Sequence, residues 1–176
     1  DSRVNTSYYQ SNASAESVGA ELEVGIKPLE WLSLFGSASY NSFKFDSKIR
    51  TASGTTVQSQ GKQVADAPEW LGKIGATASF AGFSVTPVMR YVGQRYGDIE
   101  NKERISNYEV VDLTLDYRKK KVWGFDELSV SLNLLNLFDK HYISTIKNSQ
   151  DVSEALATSY YPGAPFTVVG TVGVKF

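Results

Sequence analysis

Apolar and polar side chains alternate one by one through most of this chain, and within each alternating run a single parity is apolar. Val18, Ala20, Leu22, Val24 and Ile26 share one parity, and Gly19, Glu21, Glu23, Gly25 and Lys27 share the other. Leu32, Leu34, Gly36, Ala38 and Tyr40 alternate with Ser33, Phe35, Ser37, Ser39 and Asn41. Trp70, Ile74, Ala76, Ala78 and Phe80 oppose Lys73, Gly75, Thr77 and Ser79, and Phe83, Val85, Met89 and Tyr91 oppose Ser84, Thr86, Arg90 and Gln94. Val111, Leu113, Leu115 and Tyr117 interleave with Asp112, Thr114, Asp116 and Arg118, and Leu128, Val130, Leu132 and Leu134 with Ser129, Ser131 and Asn133. A period of two sends successive side chains to opposite faces of a strand. With a weaker segment at Arg3 to Gln10 and the closing run from Phe166 to Phe176, the pattern predicts eight strands.

That closing run carries particular weight. Phe166, Val168, Val172, Val174 and Phe176 fall on one face of a terminal strand that ends in an aromatic ring. At the edge of a soluble sheet such a strand invites aggregation, whereas in an outer-membrane barrel it closes the sheet and turns its apolar face to lipid.

Connection lengths alternate as well. Short turns are expected at Lys27 to Glu30 and Ala81 to Gly82, with a longer one at Lys119 to Glu127; long polar segments run over Asp46 to Asp66, Gly97 to Asn107 and Asp139 to Gly163. Turns at one end and loops at the other match the outer-membrane arrangement of periplasmic turns and extracellular loops. The runs are about the 9 to 11 residues that a tilted barrel strand needs to cross the hydrocarbon, or slightly longer. Trp31, Tyr40, Trp70, Phe80, Phe83, Tyr91, Tyr117 and Phe176 end the apolar faces, as two interfacial girdles would. Pro87 lies within the fourth of these strands, where its missing N–H predicts a bulge or bend.

The fold class expected is therefore all-β: an antiparallel transmembrane β-barrel segment of about eight strands, forming one domain over residues 1–176. Parity alone leaves open which face looks outward, since a soluble ligand barrel packs apolar residues inside. The charges on the other parity, among them Glu21, Glu23, Lys73, Arg90, Asp112, Asp116 and Arg118, need an interior that hydrates or pairs them, which favours a wide or plugged barrel.

Composition narrows the classes further. The chain has 176 residues, begins at Asp1 and holds its one methionine at Met89, which suits a processed product or a piece of something larger. No run approaches the roughly eighteen apolar residues of a membrane helix. With no cysteine there is no disulfide, thiol catalysis or cysteine metal site. A net charge of -1 gives no footprint for nucleic acid.

Candidate chemistry is sparse. His141 is the only histidine, with Asp139 and Ser144 close by. Nothing in the sequence orients them as a triad, and one histidine without cysteine makes a poor metal site. No catalytic residue, metal or cofactor is expected, and the chain is not expected to be an enzyme. The loop aromatics Tyr96, Tyr108, Tyr142, Tyr160 and Tyr161, with Arg95, Arg104 and His141 near them, are the candidate ligand-binding residues. Arginine and tyrosine donate hydrogen bonds to anionic ligands, and the rings add stacking area. The plainer use of such rings is an interfacial girdle and loop packing. Glu21 and Glu23 share a face as lumen charges, and Lys119, Lys120 and Lys121 are expected as a solvated turn tip.

Three stretches resemble one family. SVGAELEVGIKPLEWLSLFGSASYNSFKF is similar to a strand-turn-strand of TonB-dependent outer-membrane receptors. LSVSLNLLNLFDKHYIS is similar to that family's penultimate strand, through Asn136-Leu137-Phe138-Asp139-Lys140 and Tyr142, and YYPGAPFTVVGTVGVKF to its closing strand. Family members commonly carry arginine after the Pro-Gly-Ala-Pro equivalent, where this chain has Phe166, so any role of that arginine does not carry over. The family barrel has about twenty-two strands around a plug, so the resemblance implies the C-terminal part of a receptor barrel, with no counterpart here of the plug or of the box that contacts TonB. It further implies energised uptake of a ferric siderophore or other scarce nutrient, an outer-membrane lipid environment, and Phe166, Val172, Val174 and Phe176 as the signal read by the barrel assembly machinery. Two alternatives stay open: a complete small eight-stranded outer-membrane barrel with a structural or adhesion role, and an outer-membrane hydrolase using His141.

Overall fold

Each alternating run finds its partner in the next run along the chain, because the connections between them either are tight turns or return to the same end of the sheet. The structure, a computed structural model, describes residues 14–50, 56–147 and 159–176. In chain order the strands are β1 (Ala15–Leu29), β2 (Leu32–Phe45), β3 (Ile49–Arg50), β4 (Thr56–Val57), β5 (Trp70–Phe80), β6 (Phe83–Val92), β7 (Arg95–Tyr96), β8 (Arg104–Ile105), β9 (Tyr108–Val122), β10 (Phe125–Leu135), β11 (Ile143–Lys147), β12 (Ser159–Pro162) and β13 (Thr167–Lys175). Seven of them form one sheet in the order β1-β2-β5-β6-β9-β10-β13, and β3–β4, β7–β8 and β11–β12 are separate two-stranded hairpins within the long connections. All six neighbouring pairs are antiparallel. Among the described residues the sheet is open, with β1 and β13 as its edges, and the strand expected at Arg3 to Gln10 lies outside them.

The registers keep the two parities apart across the whole sheet. Leu22 faces Ala38, Ala38 faces Gly72, Gly72 faces Tyr91 and Tyr91 faces Glu109, so the apolar row ends in one charge near the loops. Val85, Leu115, Leu132 and Gly170 form another row of the same face. On the opposite face Glu23, Ser37, Lys73 and Arg90 line up, as do Thr86, Thr114 and Asn133. Polar neighbours there bond one another: Thr77 and Thr86 hydroxyls at 3.0 Å, Thr114 to Asn133 at 2.9 Å, and Arg90 Nη2 to Asp112 Oδ2 at 2.8 Å.

Among the described residues no packed core underlies this sheet. Leu22 is 64% and Val172 71% exposed, and the buried hydrophobics among the described residues are Val57, Val110 and Ile146, which lie at the loop end. A continuous apolar face of that extent exceeds what a soluble monomer leaves to water.

Three connections are two-residue turns, two of them shorter than the sequence pattern implies: the turn expected over Lys27 to Glu30 is corrected to Glu30 and Trp31, because β1 continues through Lys27 and Pro28 to Leu29. Ala81 and Gly82 have φ of 51 and 86, and Trp123 and Gly124 have 50 and 87; positive φ at both central positions matches the twist of the flanking strands. The expected longer turn over Lys119 to Glu127 is corrected: β9 continues through the lysine run to Val122, because Lys120 faces Glu127 and Arg118 Nε lies 3.5 Å from Glu127 Oε1. A charge run there reads as loop, yet one carboxylate opposite it keeps the ladder going. At Pro87, where a bulge or bend is expected, the register does not shift but one ladder is interrupted. The β5–β6 ladder lapses between Gly75–Val88 and Ala78–Val85 but resumes in the same register, and Pro87 still faces Leu113 of β9.

Candidate functional site

The end of the sheet opposite the tight turns carries the three long connections, residues 46–69, 93–107 and 136–166, which are cross-fastened. Arg95 in β7 is only 2% exposed. Its Nη1 donates to Asp66 Oδ1 at 2.6 Å and to the Ser144 carbonyl at 3.2 Å, and its Nη2 donates to the Ile143 carbonyl at 2.5 Å. Asp66 Oδ2 in turn accepts the Ile146 N–H at 3.0 Å, and the Asp66 N–H donates to the Tyr96 carbonyl at 3.0 Å. Arg95 is withdrawn from water while Asp66 keeps 27% exposure, and such a pair is stabilised where backbone groups add hydrogen bonds to it; β11 supplies three. The guanidinium carbon lies 5.6 Å from the Tyr108 ring centroid, and Tyr108 packs on Tyr142 at 4.4 Å.

Two amides complete the fastening. Asn101 and Gln63 exchange bonds between the first two loops, Gln63 N–H to Asn101 Oδ1 at 2.7 Å and Asn101 Nδ2 to the Gln63 carbonyl at 2.8 Å. Asn136 is 2% exposed with φ of 50, a left-handed conformation that asparagine tolerates better than most residues. Its Nδ2 donates to the carbonyls of Lys140 and Ala164 at 3.0 and 2.9 Å, its Oδ1 accepts the Lys140 N–H at 2.8 Å, and its own N–H donates to Asp112 Oδ1 at 2.9 Å. The chain leading into β13 is thereby pinned to the end of β10, and Asp139 Oδ1 adds the Phe166 N–H at 2.9 Å.

Beside this layer an open cleft of about 630 Å³ is lined by Arg104, Tyr108, Lys140, His141, Tyr142 and the segment between Ile105 and Asn107. Its volume is in the range of small-molecule sites. Cations and amide donors around two stacked rings suit an anionic ligand. Further along the same loops, the exposed Lys102 ammonium donates to Glu100 Oε2 at 2.5 Å, and that bond and charge hold its pKa above the ordinary lysine value.

The sequence-predicted residues separate by environment. Arg95 is enclosed, and Tyr96, Tyr108, Tyr142 and Tyr160 are half-buried, with Tyr160 facing Ile146 across the β11–β12 hairpin. His141 and Tyr161 are exposed. Gly163 lies so close to Tyr142 that a Cβ there would stand 2.0 Å from the ring, so the last loop is pressed onto that tyrosine. Asp66, Asn101 and Asn136 were not singled out as site residues, although Asn136 opens the Asn-Leu-Phe-Asp-Lys stretch. The triad reading finds its partners engaged elsewhere: Ser144 Oγ donates to the carbonyls of Tyr161 and Pro162 at 3.0 and 3.2 Å, and Asp139 holds Phe166. At the far end of the sheet Val172 and Val174 face Val130 and Leu128, and Phe176 meets Phe125 edge-on at 5.1 Å.

Comparison with known proteins agrees with this geometry. The family model described as TonB dependent receptor-like, beta-barrel matches residues 1–137. The chain is 27% identical over 176 residues to the ferrioxamine B receptor of Salmonella typhimurium, covering 97% of this chain and 23% of that protein. It is 26% identical to the ferrichrome outer membrane transporter/phage receptor of Escherichia coli, covering 90% of this chain and 20% of that one. Among solved structures, the ferric preacinetobactin receptor BauA of Acinetobacter baumannii superposes with a TM-score of 0.73 at 22% identity, over 95% of this chain and 23% of that one. The unliganded ferric citrate transporter FecA does so with a TM-score of 0.76 at 17% identity, over 93% of this chain and 25% of that one. The chain thus spans about a quarter of the length of these relatives.

Proposed function

Because the chain belongs to the TonB-dependent receptor-like β-barrel family, we propose that it forms the C-terminal part of an outer-membrane receptor for energised uptake of a ferric siderophore or similar metal chelate. Barrels of this family lie in the outer membrane, so the apolar face meets lipid, the tight turns are periplasmic and the fastened loops extracellular. The observation that carries the reading is the loop layer itself: three loops converge over one end of the sheet, and the second and third bound a tyrosine-lined cleft that carries Arg104 and Lys140, the latter 3.3 Å from Glu109. His141 and Tyr161 are exposed enough to meet the chelate directly, Tyr96 and Tyr160 are half-buried on the same loops, and the stacked Tyr108 and Tyr142 line the cleft with His141. TonB would act through a plug domain supplied by another part of the receptor. Phe166, Val172, Val174 and Phe176 would serve as the signal for barrel assembly, since an unpaired strand end adds readily to another sheet edge.

Radiolabelled iron uptake by cells that carry the full-length receptor in place of their own receptors tests the proposal, with ferrioxamine B and ferrichrome as first probes because similar proteins carry those names. The expected result is saturable uptake of at least one ferric chelate, abolished without TonB. Uptake of none from a wider chelate panel, with the receptor at normal surface levels, would contradict it.

A further inference from the structure

We infer that Arg95 is the positioning residue of the receptor mouth: one guanidinium locks three extracellular loops into a single arrangement, and the chelate is met by side chains those loops display. The inference rests on the proposed uptake function and deepens it. A ligand-contacting arginine needs an open face, whereas Arg95 is 2% exposed and has its ends engaged by Asp66, Ile143 and Ser144. Its Nε has no hydrogen-bond partner and no room for one, since that atom is enclosed. The three partners come from different connections: Asp66 precedes β5, Arg95 follows β6, and Ile143 and Ser144 belong to β11. Asp66 makes the arrangement mutual, because its second oxygen holds Ile146 of that same β11 while its N–H holds Tyr96.

Removal of the guanidinium would leave a half-buried carboxylate and two carbonyls without their shared donor, and the loops would separate to hydrate them. Lysine cannot substitute, since its single ammonium does not span a carboxylate and two carbonyls as a planar fork does. The apparent affinity of the mouth then falls by the fraction of molecules that keep the competent arrangement: if about a tenth do, affinity drops about tenfold.

The experiment uses the full-length receptor in lipid vesicles, with spin labels on Lys102→Cys and Thr145→Cys, two exposed positions on the second and third loops. Distances between the labels are measured without ligand, and binding of the chelate that the uptake assay identifies is measured separately. Wild type should give one narrow distance distribution. Arg95→Met, Arg95→Lys and Asp66→Asn should each broaden it and weaken binding about tenfold, and Arg95→Met combined with Asp66→Asn should add little to either single change. An unchanged distribution with lost affinity would make Arg95 a ligand contact, and a broadened one with full affinity would make the lock irrelevant to binding; either overturns the inference. If Arg95→Met fails to insert, Asp66→Asn decides by the same two readouts. If wild type binds no chelate, the uptake proposal fails, while the ligand-free distances still report whether the lock exists.

Discussion

Asn136 and Gly75 show how single residues hold this sheet together. Asn136 makes three side-chain hydrogen bonds from a buried left-handed position. Asn136→Ala should cost about 1–3 kcal/mol from unpaired groups plus about 1–2 kcal/mol of backbone strain. Asn136→Gly removes only the strain, so chemical unfolding of the detergent-solubilised receptor should place it between wild type and alanine; glycine as stable as wild type would show that the bonds contribute nothing. At Gly75 the tip of the Phe35 ring from β2 occupies the space a side chain would take, so an added Cβ would stand 2.3 Å from Cζ, and Lys73 Nζ rests 5.6 Å from the centroid of the same ring. Gly75→Ala should destabilise by about 1–3 kcal/mol, and Phe35→Ala in the same molecule should recover part of that loss. Additive damage in the double variant would mean that the ring and the glycine do not share a site. None of this was visible from the sequence, where Gly75 and Phe35 are merely members of one parity and their contact depends on register.

Strand parity was legible because it needs only a period of two, and the registers keep it intact from Val18 to Val174. The prediction at this scale is that Leu115→Arg or Leu132→Arg costs about 2–4 kcal/mol near the midplane, while Thr114→Arg or Asn133→Arg, on the polar face, is far milder. Folding free energies in vesicles provide the check, and equal damage on both faces would point to a sheet packed on both sides. Turns were less legible. Lys119 to Lys121 reads as a loop by charge, and only the carboxylate of Glu127 across the ladder shows why it remains strand. Pro87 removes a donor without shifting register, since the second ladder, to β9, holds β6 in place. The loop layer was the least legible part: tyrosines and Arg95 could be picked out by chemistry, but Arg95 meets Asp66 across 29 positions and Asp66 meets Ile146 across 80. No local pattern encodes such pairings.

At the scale of the molecule, the described residues form an open sheet with β1 and β13 at its edges, and none of them covers its apolar face. In the full-length receptor, deletion of Phe176 should lower the amount inserted without changing ligand affinity in the molecules that fold, as surface labelling and binding on the same membranes will show. Normal insertion, or weakened binding at normal levels, would assign the terminal ring another job. The central claim is that the apolar parity faces lipid, and spin labels placed singly along β10, from Leu128 to Leu135, in the vesicle-embedded receptor test it most directly. Accessibility to oxygen dissolved in the hydrocarbon should peak at Leu128, Val130, Leu132 and Leu134 and fall at Ser129, Ser131 and Asn133. A flat profile, or peaks on the polar parity, would contradict the account.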